Sequence, residues 1–295
     1  TKTAPSPRHA TTCALPQLTP TTPAGPAHRR SSYRKCPPSS GVPTSSPMSQ
    51  PHVYSVPALS AAAQPFRPAD TLTTSTRRSA STNFTVEDLP RVARICHGHG
   101  IKAYITANTI VYTSEIHTAR DLVKACCGVA DAVICWDPAV IAICREFSIP
   151  FHVSTQASVA NVEAAKFYKA LGAERIIPAR ECTLEETVSI RNEADIPVEV
   201  FVHGAMCVSV SGRCFLSQFT YGRSGNRGEC YQNCRREFQV VSDDGDAEFT
   251  LGNNYIMSAK DLCTLPFIDK LLDTGVDALN IEGRNRSPEY VRTVV

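Results

Sequence analysis

"AVICWDPAVIAICREFSIPFHVSTQASVANVEAAKFYKALGAERIIPAR", residues 132–180, is a strand–helix series written out in full. Three short apolar runs, "AVICW" (132–136), "FHVSTQ" (151–156) and "RIIPAR" (175–180), are separated by segments of helical length at 138–147 and 159–171. Runs this apolar and this short suit strands covered on both faces, and the helices between them provide the crossovers of a parallel sheet. The pattern extends in both directions. Upstream, "TVEDLPRVARICHGHG" reads as a helix with Thr85 as N-cap and Gly98 and Gly100 at its end. "KAYITAN" (102–108) reads as a strand, and 114–127 as a helix. Downstream come a helix at 183–193, the strand "VEVFVHG" (198–204), a strand "YIMSA" (255–259), a helix at 261–274, the strand "ALNIEG" (278–283) and a last helix from Ser287. Polar residues gather at the strand C-termini, which is where (β/α) barrels place their chemistry. The expected fold is therefore α/β: a TIM-like (β/α) barrel occupying residues 83–295, with a Cys-rich insertion at 205–254. Seven strand candidates fall short of the eight of a closed barrel, so the barrel is expected to be incomplete at its N-terminal strands.

The first 82 residues have a different texture. They hold 14 of the 21 prolines and nine Lys/Arg against one acid, Asp70. Pro-dense, aromatic-poor sequence buries too little apolar surface to offset chain entropy, so this segment is expected to be disordered or not native to the domain. It is Arg/Ser-rich like a transit peptide, but so many prolines oppose an amphipathic helix. The absence of an initiating Met points to a fragment or a non-natural N-terminus. The chain of 295 residues is 42% hydrophobic and carries a net charge of +2, which leaves −6 for residues 83–295. No run of about 18 apolar residues predicts a membrane span, and no secretory signal is evident. Thirteen cysteines without such a signal point to a reducing compartment, here the cytoplasm, where clustered thiols serve metals or catalysis. The oligomeric state is not legible.

Strand C-termini supply Asn108, Asp137, Ser154, Thr155, Gln156, Arg180, Glu181, His203 and Glu282. Asp137 and Thr183 read as helix caps. Gln156, Arg180, Glu181 and His203 read as catalytic pocket residues, because charged groups directly after an apolar strand are costly unless paired or bound.

Four cysteines crowd residues 207–234, spaced Cys207-x6-Cys214-x15-Cys230-x3-Cys234. Three readings compete. Structural zinc has the right ligand type but prefers two tight Cys pairs. Buried packing thiols prefer apolar neighbours, not Arg213, Arg223, Arg227, Arg235 and Arg236. Iron–sulfur ligands tolerate irregular spacing because loops wrap a cluster, and nearby arginines favour thiolates. The chemistry favours iron–sulfur over zinc, with Cys263 as a reserve ligand whose other reading is a helix-core cysteine. Cys96, Cys126, Cys127, Cys135, Cys144 and Cys182 lack mutual spacing and read as packing.

"EVFVHGAMCVSVSGRCFLS" (199–217) resembles the signature of the U32 peptidase family, the collagenase-like proteins, through Glu199, Phe201, Gly204, Ala205, Met206, Cys207, Gly212, Cys214, Leu216 and Ser217. "STQASVAN", "PARECTLEE", "NRGECYQNCR", "SAKDLC" and "LNIEGRNRSPEYV" resemble it too. The family's opening barrel strands are not visible ahead of Asn83, and the chain stops where family members continue. The resemblance implies two activities. One is collagen degradation. The other is iron–sulfur-dependent hydroxylation of aromatic rings, including a uridine in tRNA, with prephenate as the oxygen-supplying small carboxylic acid. For the second, the resemblance implies a cluster, expected as 4Fe–4S, on Cys207, Cys214, Cys230 and Cys234. tRNA is the expected partner, its phosphates reached by Arg223, Arg227, Arg235 and Arg236. Arg180 would suit a carboxylate of the co-substrate. No H-E-x-x-H or G-x-S-x-G supports a peptidase. A non-enzymatic accessory role is the third class, favoured by the missing barrel start.

Overall fold

The computed structural model describes residues 52–54, 84–236, 238–241, 248–251, 257, 260–283 and 286–295. In chain order the elements are β1 (His52–Tyr54), α1 (Leu89–Gly98), β2 (Tyr104–Ala107), α2 (Ile116–Cys126), β3 (Ala132–Cys135), α3 (Pro138–Phe147), β4 (Phe151–Val153), α4 (Val162–Ala170), β5 (Arg175–Ile176) and α5 (Leu184–Glu193). There follow β6 (Glu199–Gly204), α6 (Leu216–Tyr221), a hairpin of β7 (Phe238–Val241) and β8 (Glu248–Leu251), β9 (Leu262–Cys263), α7 (Ile268–Asp273), β10 (Ala278–Ile281) and α8 (Pro288–Val294).

The strands β2, β3, β4 and β5 pair in parallel, in sequence order. A parallel bridge between Ile176 and Val198 carries the series to the start of β6. β6 then pairs in parallel with β10, and β10 with β1. Among the described residues no ladder joins β1 to β2, so the parallel sheet does not close.

Alternation along each strand sends one set of side chains to the helices and the other to the opposite face. Ile105, Val133, Cys135, Phe151, Val153, Ile176 and Val198 join Leu89, Val123, Cys126, Ile141, Cys144 and Ile190 in one buried core. Cys126, Cys135 and Cys144 are wholly enclosed there, and burial pushes the Cys126 thiol up to about 12. A smaller core of Val202, Leu271, Val276, Leu279 and Ile281 lies under α7 and α8. Side-chain caps hold the turns into α3, α4, α5 and α8. The Asp137 carboxylate accepts from Ala139 N at 2.9 Å and from Val111 N at 3.2 Å. Asn161 caps α4, and Thr183 with Glu186 forms a reciprocal capping box on α5.

Three elements differ from expectation. The helix expected at 261–274 begins only at Ile268; Leu262–Cys263 instead forms β9, antiparallel to the end of β6 with Cys263 opposite His203. Pro266 lacks the N–H a helix interior needs, and the free edge of β6 supplies the alternative partner. Cys263 is therefore an exposed strand residue, not a helix-core one. The segment expected to be disordered contains β1, whose "HVY" triplet has strand character and pairs with β10. The strand expected at 175–180 keeps only Arg175–Ile176 in the ladder before turning at Pro178. The strand expected at 255–259 lies, apart from Met257, outside the described residues. No helix among the described residues is long and apolar enough to cross a membrane.

Candidate active site

The face of the sheet turned away from the helices is polar at its N-terminal half. Arg175 Nη1 donates to Glu199 Oε2 at 3.1 Å, and Asn280 Nδ2 donates to Glu199 Oε1 at 2.6 Å. The Arg175 guanidinium lies 5.7 Å from the Tyr104 ring, which meets His152 edge-on at 4.8 Å. His152 is 4% exposed, and burial pushes its imidazole down to about 3, so it is neutral at physiological pH. These five residues form a fixed polar floor. Sequence inspection passed over them, although a charged or polar residue inside an apolar strand was a readable signal.

Above this floor the strand ends converge. Asn108 Nδ2 donates to Ser154 Oγ at 3.2 Å and to Gln156 Oε1 at 3.1 Å, and the Ser154 hydroxyl also bonds Gln156. Trp136 Nε1 donates to the Asn108 carbonyl at 2.7 Å. Gly212, from the cysteine segment, lies directly on Gln156. It has φ +71°, and an added Cβ would fall 2.3 Å from Gln156 Cγ. Gln156 is thus clamped between the sheet and the segment. Arg180 lies over Phe201 at 3.9 Å, donates to the Ala205 carbonyl at 2.8 Å and faces Glu282 at 3.7 Å; its buried Nε has no partner among the described residues. Gly204 has φ +114°, and a Cβ there would meet the Glu282 carbonyl at 2.8 Å, so the chain leaves β6 through a conformation reserved for glycine. His203 packs at 5.8 Å from Tyr290. Glu181 is exposed and forms no hydrogen bond or ion pair among the described residues, so the other three pocket candidates are not joined by it.

The four thiols come together beside Arg180. Cys207 presents surface to solvent, yet protein atoms crowd its sulfur. Burial pushes this thiol up, Arg180 pulls it back, and the charges of Cys230, Glu282 and Cys214 push it further up. Burial likewise raises the Cys234 thiol, Cys230, Cys207 and Cys214 add to the rise, and Arg235 opposes it. Cys234 thus feels the other three sulfurs, and Cys207 feels Cys230 and Cys214. A Cβ added at Gly225 would lie 3.5 Å from the Cys214 carbonyl oxygen and 3.6 Å from Cys230 Cβ, so Gly225 borders both cysteines. Cys214 N donates to Asn226 Oδ1 at 2.7 Å, and Leu216 N donates to Cys214 Sγ at 3.5 Å. Ser217 and Asn233, both buried, tie the two halves of the segment through Tyr231 N and the Leu216 carbonyl. Donor type and convergence fit a soft, sulfur-ligated group. The sulfurs do not already form a coordination shell: among the described residues no three His, Cys, Asp or Glu side chains stand in position for one ion.

The arginines divide into two classes. Arg227 is 11% exposed; it pairs through two nitrogens with Glu115, donates to the Ile110 carbonyl at 2.9 Å and stacks over Tyr112 at 4.0 Å. Arg235 is paired with Asp261, which also receives Arg286. Both hold the segment to the body and are not free to meet phosphates, contrary to expectation. Arg223, 3.4 Å from Glu229, and Arg236, bonded to the Tyr221 hydroxyl, remain near the surface.

A model of Peptidase family U32 matches residues 71–295. The chain is 39% identical over 230 residues to a collagenase of Porphyromonas gingivalis, covering 74% of this chain and 55% of that protein. It is 36% identical over 226 residues to tRNA hydroxylation protein P1 of Bacillus subtilis, covering 74% and 53%. Against tRNA hydroxylation protein P of Escherichia coli it is 32% identical over 261 residues, covering 72% and 58%. A solved U32 peptidase structure aligns with TM-score 0.43 and 14% identity over 69% of this chain and 78% of that one. The chain spans about half the length of the curated relatives it matches. On the family match and the identity of these relatives, the chain belongs to Peptidase family U32.

Proposed function

We propose that this chain is the cluster-bearing part of a cytoplasmic RNA-modifying enzyme that hydroxylates a tRNA uridine, and that its parallel sheet is the greater part of a (β/α) barrel. What supports this is the cysteine segment that follows β6, where Arg180 acts on the Cys207 thiol, Arg235 acts on the Cys234 thiol, and Cys207, Cys214 and Cys230 all act on Cys234. Those four thiols would hold an iron–sulfur cluster, which supplies one-electron redox chemistry when bound. The two guanidiniums offset thiolate charge. Arg180, which faces Glu282 at only 3.7 Å, would exchange that contact for a carboxylate of a small acid co-substrate such as prephenate. Gln156, fixed by Asn108, Ser154 and Gly212, presents a rigid amide to the same mouth. The tRNA-hydroxylation names of two relatives support the RNA substrate.

Anaerobic purification tests the proposal. Brown protein with about four iron and four sulfide per chain is expected, falling sharply in Cys207→Ser and Cys230→Ser but not in Cys263→Ser. A strain lacking the gene should lose a hydroxylated uridine in tRNA by mass spectrometry. Colourless protein with stoichiometric zinc, and an unchanged nucleoside profile, would refute it. The relative named collagenase favours a second reading, proteolysis. Gelatin hydrolysis that survives loss of all four cysteines would establish that one instead.

A further inference from the structure

The helix α6 exposes what most helices bury. Phe215 is 70% exposed and Phe219 92%, while Ser217 between them is the residue turned inward at 3%. Phe219 N bonds the Phe215 carbonyl at 2.8 Å, so the two rings stand one turn apart on a single face. Four residues of helix rise about 6 Å, close to the gap that one flat base fills between two rings. Tyr221, two positions on, belongs to the side of the helix that carries Ser217; it is 41% exposed, with the Arg236 guanidinium 5.1 Å over its ring. The surface is also the basic part of an acidic body. Residues 205–236 hold five arginines and one glutamate, whereas the rest of residues 83–295 has ten more acids than bases; Arg223, Arg227 and Arg235 are paired with Glu229, Glu115 and Asp261, which leaves Arg213 and Arg236 without a carboxylate partner among the described residues. An exposed pair of flat apolar rings in a basic setting matches a ligand that is itself flat, apolar on its faces and negatively charged along its backbone.

We infer that Phe215 and Phe219 form a stacking platform for unpaired bases of an RNA loop, with Arg236, held by Tyr221 on another side of the same helix, as a cation for the phosphates that follow. This rests on the RNA reading above and adds to it the element that selects looped over paired substrate. Bases inside a duplex hide their faces, so the platform engages only splayed nucleotides.

The test is fluorescence anisotropy with the 295-residue chain, a labelled RNA hairpin with a short unpaired loop, and the same stem closed as a blunt duplex. The duplex controls for sequence-independent attraction to the basic first 82 residues. Phe219→Ala should weaken hairpin binding roughly five- to 150-fold, from the usual stacking contribution of one base. It should leave duplex binding and the salt slope unchanged, and Phe219→Tyr should restore affinity. Arg236→Ala should instead flatten the salt slope by about 0.7. Wild-type affinity for the hairpin in both Phe219→Ala and Phe215→Ala would overturn the platform and leave the RNA reading standing. Failure of the unaltered chain to bind either RNA would sink both. Loss of gelatin binding, with RNA binding intact, in Phe219→Ala would assign the surface to a protein partner and overturn the inference.

Discussion

Replacing Arg227 with Met removes a positive charge from a site that leaves its partner almost nowhere to go. Glu115 is 13% exposed and Arg227 11%, and the pair is joined through two nitrogens. Next to it the Asn226 carbonyl accepts from Ile110 N at 3.4 Å while its side chain holds Cys214 N. Removing one member of a buried pair costs about 3–5 kcal/mol, because the other is left charged and unpaired. For a domain of this size that lowers Tm by about 6–20 °C. Removing both, as Arg227→Met with Glu115→Gln, should recover most of the loss. The pH dependence gives a second reading. Hydrogen bonds from Arg227 hold the Glu115 carboxyl below its ordinary value. The pair's stabilisation is thus present above the ordinary carboxylate range and is lost as pH falls through the lower, folded value. Thermal denaturation of the four proteins, repeated between pH 7 and pH 3, measures all of this. A single variant within about 0.5 kcal/mol of the parent, or a double variant as unstable as the sum of the singles, would refute the assignment of Arg227 as an anchor. Iron content measured on the same samples should fall with the Tm, since the anchor holds the segment that carries the thiols.

Two further outcomes are expected. Gly212→Ala should destabilise by about 1 kcal/mol or more, because a side chain there is strained at φ +71° and strikes Gln156; it should also disturb any reaction at the strand ends, whereas Gly222→Ala, equally left-handed but open, should cost only stability. His152 takes up no proton in the folded protein until about pH 3. An unfolded histidine protonates near its ordinary value, about 6.5, so stability should fall as pH drops below that value, by about 1.4 kcal/mol per unit. His152→Gln should flatten that slope in urea titrations, and an unchanged slope would show that His152 is not the group responsible.

The βα series was legible because each strand and helix announces itself locally. "AVIC" and "FHV" are too apolar and too short for anything but covered strands, and Asp137 and Thr183 are caps by position alone. The four cysteines stand out in the sequence by their crowding into residues 207–234. What stayed hidden depends on partners far along the chain. "DLCTLPFIDKLLD" reads as helix apart from Pro266, and the edge of β6 turns Leu262–Cys263 into a strand. Arg227 and Arg235 look like any other arginine in a basic run; their engagement with Glu115 and Asp261 is a tertiary fact. The polar floor could have been found. Arg175, Glu199 and Asn280 interrupt strands whose neighbours are apolar, and an interruption in a doubly covered strand implies a partner across the sheet.

The bond between Arg227 and Glu115 spans 112 residues of chain. During synthesis, at the usual 5–20 residues per second, the carboxylate emerges about 6–22 seconds before its guanidinium. β10, which flanks β6, comes later still. The thiol-bearing stretch therefore leaves the ribosome before the sheet that seats it is complete.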